Sequence, residues 1–107
     1  TILPPIRTAM TELTYDAEHE IILITSSELP HDEDFELWAT LFLHAPAITT
    51  ADFDAGADRH QLRFHFTDHS FNLNFEHYSE SIWINAEGIE ASAALPQLHQ
   101  YLVAQLQ

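Results

Sequence analysis

Several residue types that carry much of protein chemistry are absent or scarce in this chain. It has no cysteine, which excludes disulfides, thiolate metal ligands and a cysteine nucleophile. Its two glycines, Gly56 and Gly88, are too few and too far apart for a glycine-rich phosphate loop. No apolar run approaches the roughly 18 residues of a membrane span. The opening segment TILPPIRTAM lacks the long apolar core of a secretory signal, so a cytoplasmic protein is expected.

Basic residues are the second deficit. Lysine is absent, and three arginines face seventeen acidic residues, which gives a formal net charge of −14. A field of this sign repels phosphates, so the composition excludes nucleic-acid binding through a basic patch. It also disfavours binding to anionic membranes. Two interpretations of the charge stay open: plain solubility, or association with a basic partner, including the imitation of a polyanion.

What the chain does contain suffices for a single domain over residues 1–107. Hydrophobic residues make up 46% of the sequence and aromatic residues 11%, which is enough material for one packed core. Pro4 and Pro5 predict an extended lead-in at residues 1–8, because proline restrains both itself and the residue before it.

Two strands are predicted next. TELTYDA alternates as a half-buried strand does, with Leu13, Tyr15 and Ala17 on the buried side. HEIILITSS contains the unbroken apolar run Ile21 to Ile24, which is typical of a strand covered on both faces. The two are expected to form a hairpin.

The segment LPHDEDFELWATLFLHAPA predicts a helix with both ends marked. Asp32 is the expected N-cap, and the acidic residues after it suit the positive end of the helix dipole. Pro46 disfavours helical geometry at the preceding residue, which places the end of the helix at Ala45. The predicted buried stripe consists of Phe35, Trp38, Phe42 and Ala45, broadened by Leu41.

Four strands in a meander are predicted between Ile48 and Ala86. Turns centred on residues 57–58, 68–69 and 79–80 give these strands one mainly apolar surface, and a one-residue slip would invert every side chain. The predicted pairs are Phe53 with Leu62, Ala51 with Phe64, Leu62 with Phe75, Phe64 with Leu73, Phe66 with Phe71, Phe75 with Ile84, Leu73 with Ala86 and, as an exception, His77 with Ile82.

The tail GIEASAALPQLHQYLVAQLQ predicts a second helix, because Pro96 suits a first helical turn and leucines recur at near-helical spacing. The element order is therefore β-β-α-β-β-β-β-α. This order predicts an α+β fold in which an antiparallel sheet carries two helices on one face.

The opposite face of the predicted sheet is polar. The expected neighbours include Asp52 beside Arg63 and Glu76 beside Trp83. Three interpretations stay open: a partner surface, a small-ligand site with Trp83 as a stacking platform, or a solvated face with one ion pair. The candidate residues of this face are Asp52, Arg63, His65, Asn72, Asn74, Glu76, Trp83 and Asn85.

Metal binding and catalysis find little support in the sequence. The chain has eight histidines, but no HExxH motif, and His65 is expected to point out from a strand while Asp68 and His69 lie at a turn. There is no GxSxG motif for a nucleophilic serine. We therefore expect a non-enzymatic protein without catalytic residues, bound metal or cofactor.

The segments FNLNFE and SIWI, followed by EGIEA and a leucine-bearing C-terminal helix, resemble a domain-of-unknown-function family of small bacterial proteins. The resemblance extends from about Leu13 to the end of the chain. It implies a small soluble protein and transfers no functional residue.

The leading hypothesis is a protein-interaction module that uses the polar sheet face around Arg63, His65, Glu76 and Trp83. The expected partner is a second copy of the chain or a basic protein, with no direct contact to nucleic acid or membrane. The alternatives are a small-ligand or metal-binding domain at the same face, and a polyanion mimic that binds a basic partner.

Overall fold

A six-stranded antiparallel sheet forms the centre of the protein, as seen in a computed structural model that describes residues 11–26, 32–56, 58–76 and 78–106. The strands run in the spatial order β1-β2-β6-β5-β4-β3. The elements are β1 (Thr11–Asp16), β2 (Ile21–Ser26), a 3-10 turn (Asp32–Asp34), α1 (Phe35–Phe42), β3 (Ile48–Ala55), β4 (Arg59–Phe66), β5 (His69–Glu76), β6 (Ser81–Ala86), α2 (Ile89–Ala93) and α3 (Leu95–Leu106).

The sheet confirms the predicted α+β class. Strands β3 to β6 form the expected meander, and the β1–β2 hairpin extends it because β2 pairs with β6. The predicted lead-in at residues 1–8 and the position of His77 lie outside the described residues. Within the described part of the chain, no helix is both long and apolar enough to cross a membrane.

One side of the sheet, here called the apolar face, forms the core together with the helices. Alternate residues of β2, β4, β5 and β6 are buried there, as the period of two requires. Strand β3 contributes one buried residue, Ile48, and the partly buried Phe53. The helices add buried side chains from α1, α2 and α3 to the same cluster. The largest fully buried members are Ile22, Phe35, Leu43, Phe64, Phe71, Leu73, Ile82, Ile84, Leu95, Leu98 and Leu102.

The predicted faces of the meander are correct, but the predicted partners are wrong across two of its turns. Phe64 pairs with Phe71 rather than with Leu73, and Leu73 pairs with Ile84 rather than with Ala86. Both corrections are shifts by two residues. A shift by two returns each side chain to the same face, so the alternation of apolar residues cannot detect it.

The turns explain these shifts. The β4–β5 turn contains only Thr67 and Asp68, both with positive φ (50° and 65°), as a type I′ turn requires. The prediction centred this turn one residue later. After Glu76, which pairs with Ser81, the chain reaches β6 through Glu80 at φ 52°. Neither Thr67 nor Glu80 is a residue type that favours positive φ.

A β-bulge changes the register within β3. Phe53 pairs with Leu62 as predicted, but beyond the bulge Thr50, not Ala51, lies opposite Phe64. The extra residue of a bulge is left out of the ladder and bends its strand. As a result Asp52 has no partner in the β3–β4 register.

Helix α1 differs from its prediction at both ends. Asp32 begins a 3-10 turn, and the residue at the cap position of α1 is Asp34, whose side chain makes no capping hydrogen bond. The helix ends at Phe42, before Ala45. On its buried stripe Ala39 takes the place predicted for Leu41, which is 47% exposed.

The C-terminal segment consists of two helices, where the sequence predicted one. Pro96 lacks an N–H group and its ring disfavours a preceding helical turn, so the chain breaks at Ala94 and α3 starts at Leu95. Within α3, the N–H of the His99 imidazole Nε2 faces the carbonyl oxygen of Leu13 at 2.9 Å, which ties the helix to β1.

The first hairpin also departs from its prediction. Ala17 lies in the exposed turn after β1, and Leu23 of β2 is 37% exposed, so β2 is covered on one face and not on both. The Asp16 carboxylate accepts backbone N–H groups of Glu18 and His19 and contacts the His19 ring at 2.8 Å. These contacts lower the pKa of Asp16, chiefly through the side-chain hydrogen bond with His19.

Candidate binding face on the polar side of the sheet

The side of the sheet opposite the helices, here called the polar face, brings most of the predicted candidate residues together. Its central row crosses four strands in register, from Leu23 through Trp83 and Asn74 to Gln61. The adjoining row contains Asn85, Asn72 and Arg63. Both rows follow from the same alternation that places the aromatic residues of these strands in the core.

A connected set of side-chain amides holds the centre of this face. Gln61 donates through Nε2 to Asn74 Oδ1 at 2.9 Å, and Asn74 donates through Nδ2 to Asn85 Oδ1 at 2.7 Å. The same Asn74 nitrogen lies within hydrogen-bonding distance of the backbone oxygens of Asn72 and Trp83. Asn74 is only 3% exposed, and its bonds compensate the cost of burying an amide. The network therefore fixes the floor of the face.

The only arginine of the second row is held in a two-point ion pair. Arg63 donates through Nε to Glu87 Oε2 at 2.6 Å and through Nη2 to Glu87 Oε1 at 2.7 Å. This is the bidentate geometry that a guanidinium group makes with a carboxylate. The hydrogen bonds hold the pKa of Glu87 below its usual value and raise the pKa of Arg63. Both groups are therefore charged at neutral pH.

Glu87 replaces the predicted partner of Arg63. The sequence placed Asp52 directly opposite Arg63, but the bulge removes Asp52 from that register position. The Asp52 carboxylate still lies near enough to stabilise the arginine charge from a distance. Glu87 directly follows β6, and its backbone N–H donates to the oxygen of Ser70 at 2.9 Å, which positions it beside β5.

A cavity of about 400 Å³ opens on the polar face next to this ion pair. Its charged and amide lining comes from three strands and from the residue after β6. Asn72 is 8% exposed and lines the cavity. Among the described residues, its backbone oxygen but not its side-chain amide takes part in a hydrogen bond with another side chain. The lining residues are Asp52, Phe53, Asp54, Gln61, Arg63, Asn72 and Glu87.

Glu76 and His65 occupy the two ends of the polar face. Glu76 pairs in register with Ser81 and Arg59, and not with Trp83 as predicted, because β5 and β6 are shifted by two residues. The His65 ring lies 3.0 Å from the Ser70 hydroxyl through Nδ1. His65 also lines a second cavity of about 400 Å³ together with Thr49 and Asp68.

The histidines near the β4–β5 turn have different surroundings. Among the described residues, no three histidine, aspartate or glutamate side chains come close enough to hold a metal ion. His65 faces Ser70, whereas His69 pairs across the turn with Phe66.

Sequence reasoning missed two members of the face. Leu23 was assigned to a strand buried on both sides, and its exposure beside Trp83 follows from the position of β2 next to the edge strand β1. Glu87 was not considered, because it lies beyond the last strand. Its one available signal is its position two residues after Asn85, which continues the alternation of the polar face past the end of β6.

Comparison with known proteins adds a family. A family model described as "Protein of unknown function (DUF3630)" matches residues 10–107, which include every described element. No curated protein and no solved structure shows significant similarity to the chain. The resemblance to a domain-of-unknown-function family, inferred from FNLNFE, SIWI and the C-terminal helix, is thereby confirmed. The chain belongs to the DUF3630 family.

Proposed function

We propose that this protein is a non-enzymatic binding module whose polar sheet face docks a basic protein partner. One observation carries the proposal: the face presents Trp83 and the exposed Leu23 side by side, next to hydrogen-bonded amides. The same face also carries the carboxylates of Glu76 and Glu87. Tryptophan is enriched at the centres of protein interfaces. Burial of these two apolar side chains by a partner would release water from both.

Rigidity supports this proposal. The Asn74 amide bonds to neighbours on both sides, so the face needs little ordering when a partner arrives. Preorganised surfaces lose less conformational entropy on binding than flexible ones. Because the Asn74 side-chain oxygen and nitrogen already take part in hydrogen bonds, Asn74 is expected to shape the surface and not to contact a ligand.

Charge favours a basic protein over a second copy of the chain as the partner. Two molecules that each carry a net charge of −14 repel one another, whereas a basic partner is attracted and oriented by the same field. On the polar face the carboxylates alternate with amides and arginines, as in the register partners Glu76 and Arg59. This interleaving favours recognition of separate basic side chains over general imitation of a polyanion.

The proposal is tested by nuclear magnetic resonance with a short peptide of alternating arginine and alanine as the probe. The two tryptophans give separate indole signals, because Trp83 lies on the polar face and Trp38 packs against the core. We expect the Trp83 indole and the Leu23 amide to shift, the Trp38 indole to stay, and the effect to weaken as salt increases.

Matched variants localise the contact. Glu76→Gln removes one charge from the polar face, and Glu36→Gln removes one from the exposed side of α1. We expect the first, like Trp83→Ala, to weaken peptide binding more than the second. Equal effects, or shifts spread over all acidic residues, would contradict the proposal. A dimer in light scattering that Trp83→Ala dissolves would replace the basic partner with a second copy of the chain.

A further inference from the structure

The cavity beside Arg63 and Glu87 is the part of the polar face that can enclose a single chemical group of a ligand. Three carboxylates line it, those of Asp52, Asp54 and Glu87, against a single guanidinium group. Arg63 already neutralises Glu87 through two hydrogen bonds. The two aspartates remain as uncompensated negative charge at the bulged end of β3, so the cavity attracts cations.

Asn72 supplies an independent sign that the cavity receives a ligand. It is more than nine-tenths buried and lines the cavity, and its amide atoms are not fully enclosed by protein. Among the described residues, its backbone oxygen but not its side-chain amide takes part in a hydrogen bond with another side chain. Asn74, two residues along the same strand, is equally buried and fully bonded. Buried amides in folded proteins are almost always paired with protein or water. The Asn72 amide therefore faces the water of the cavity and is available to a group that enters it.

We propose that this cavity binds the guanidinium group of an arginine side chain, a proposal that rests on the proposed function and names the group of the partner that is recognised. The planar guanidinium group has five donors in a fixed fork and no acceptor. The lining offers three acceptor groups to it: the carboxylates of Asp52 and Asp54 and the side-chain amide of Asn72.

An arginine fits this lining better than other cations do. A lysine ammonium is a compact, strongly hydrated charge that gains less from acceptors spread around a cavity. A metal ion needs three or more converging ligands, which the described residues do not provide anywhere. A guanidinium group can also exploit both carboxylates and an amide at once, because its donors diverge in one plane.

The test uses three capped tripeptides, Gly-Arg-Gly, Gly-Lys-Gly and Gly-Gln-Gly, titrated into the labelled full chain. We expect the arginine peptide to shift the side-chain amide of Asn72 and the backbone amides of Asp52 and Asp54. Its dissociation constant is expected on the order of 1 mM, since few contacts are made. The lysine peptide should bind more weakly, and the neutral peptide should cause no shift. Equal responses to all three peptides would overturn the proposal.

Two matched pairs of variants sharpen this test. Asn72→Leu should weaken binding by about tenfold, because a hydrogen bond to a charged group is lost. The double variant Asp52→Asn/Asp54→Asn changes only exposed side chains. It therefore tests the cavity even if Asn72→Leu does not fold. Its control, Glu33→Gln with Glu36→Gln, makes the same change of charge away from the polar face. The aspartate pair should abolish binding and the glutamate pair should leave it nearly unchanged.

A gain of binding is the most discriminating outcome. Arg63→Gln removes the repelling guanidinium from the cavity and frees Glu87, so the arginine peptide should bind about threefold tighter. Arg59→Gln makes the same change of net charge at an exposed position of β4 outside the lining and should have a smaller effect. If both variants respond equally, only the net charge of the domain attracts the peptide and the cavity is not a site.

Failure of this inference is separable from failure of the proposed function. If the longer arginine–alanine peptide shifts Trp83 and Leu23 but leaves Asn72 unchanged, the cavity inference is overturned while the docking face stands. If the tripeptide shifts Asn72 while the longer peptide leaves Trp83 unchanged, the docking face is overturned and the cavity is a site for small organic cations. Free arginine amide, titrated in parallel, should reproduce the tripeptide shifts if the guanidinium group alone is recognised.

Discussion

The two faces of the sheet belong to the same strands but are stabilised by different interactions. On the apolar face Phe64 and Phe71 stack across strands with ring centres 5.6 Å apart, and hydrophobic burial supplies the stabilisation. On the polar face Asn72 and Asn74 are nearly as buried, yet no described helix packs against them. There the order comes from directional hydrogen bonds between amides.

The difference shows which face can take a partner without refolding. An apolar face loses its stabilisation when it is exposed, so its side chains are committed to the core. The side chains at the rim of the polar face are in contact with water. Only the central amides of this face are held in hydrogen bonds with one another. Trp83 and the cavity around Asn72 can therefore be covered while the sheet and its helices stay unchanged.

The largest expected effect comes from the apolar face. Phe71→Ala removes a fully buried ring from the centre of β5 and should lower the free energy of unfolding by about 3–5 kcal/mol. Urea unfolding followed by circular dichroism measures the loss. A cost below about 1 kcal/mol would mean that this face is less tightly packed than the buried rings indicate.

On the polar face, the loss of stability when a side chain is truncated should depend on the hydrogen bonds that the side chain makes, and not on how deeply it is buried. Asn74→Ala breaks the links to Gln61 and Asn85 and should cost about 1–3 kcal/mol. Asn72→Ala is the matched control on the same strand, and it should cost clearly less because, among the described residues, its backbone oxygen and not its side-chain amide takes part in a hydrogen bond with another side chain. Equal losses in urea unfolding would contradict the distinction between these two amides.

The faces themselves were predictable from the sequence, whereas the partners across the strands were not. Alternation of apolar and polar residues assigns a face, and this assignment holds for the strands of the meander. Phenylalanines at every second position give equally good pairs after a shift by two, so packing alone leaves the register open. The correct register depends on Thr67 accepting a positive φ, which a β-branched residue rarely does.

The register that the alternation leaves open also limited the prediction of the candidate site. Grouping the predicted residues needed only the correct face, but their contacts depended on the register and on the β3 bulge. The bulge released Asp52 from Arg63, and Glu87 took its place from beyond the last strand. No local pattern in the sequence marks a bulge between Thr50 and Phe53. Long-range partners such as Glu87 therefore became visible only with the fold.

A turn variant sharpens the comparison by acting on both faces at once. Thr67→Asn should raise the free energy of unfolding by about 0.5–1 kcal/mol, because asparagine tolerates the positive φ of a type I′ turn. The same exchange at Thr14, an exposed strand residue, should be neutral or slightly destabilising. Thermal and urea unfolding measure both variants. A destabilised Thr67→Asn would argue against the two-residue turn and therefore against the register of both faces.

The smallest expected effect lies in the exposed ion pair at the edge of the cavity, and its sign depends on pH. The hydrogen bonds from Arg63 hold the pKa of Glu87 below its unfolded value. The ionised pair therefore contributes stability above the unfolded carboxylate pKa, and the contribution is lost as pH falls through the lowered folded value. Arg63→Gln should be slightly less stable than Arg59→Gln near neutral pH, where both variants carry the same charge. Urea midpoints measured at decreasing pH should converge once Glu87 is protonated, and a difference that persists in acid would assign the effect of Arg63 to packing instead of charge.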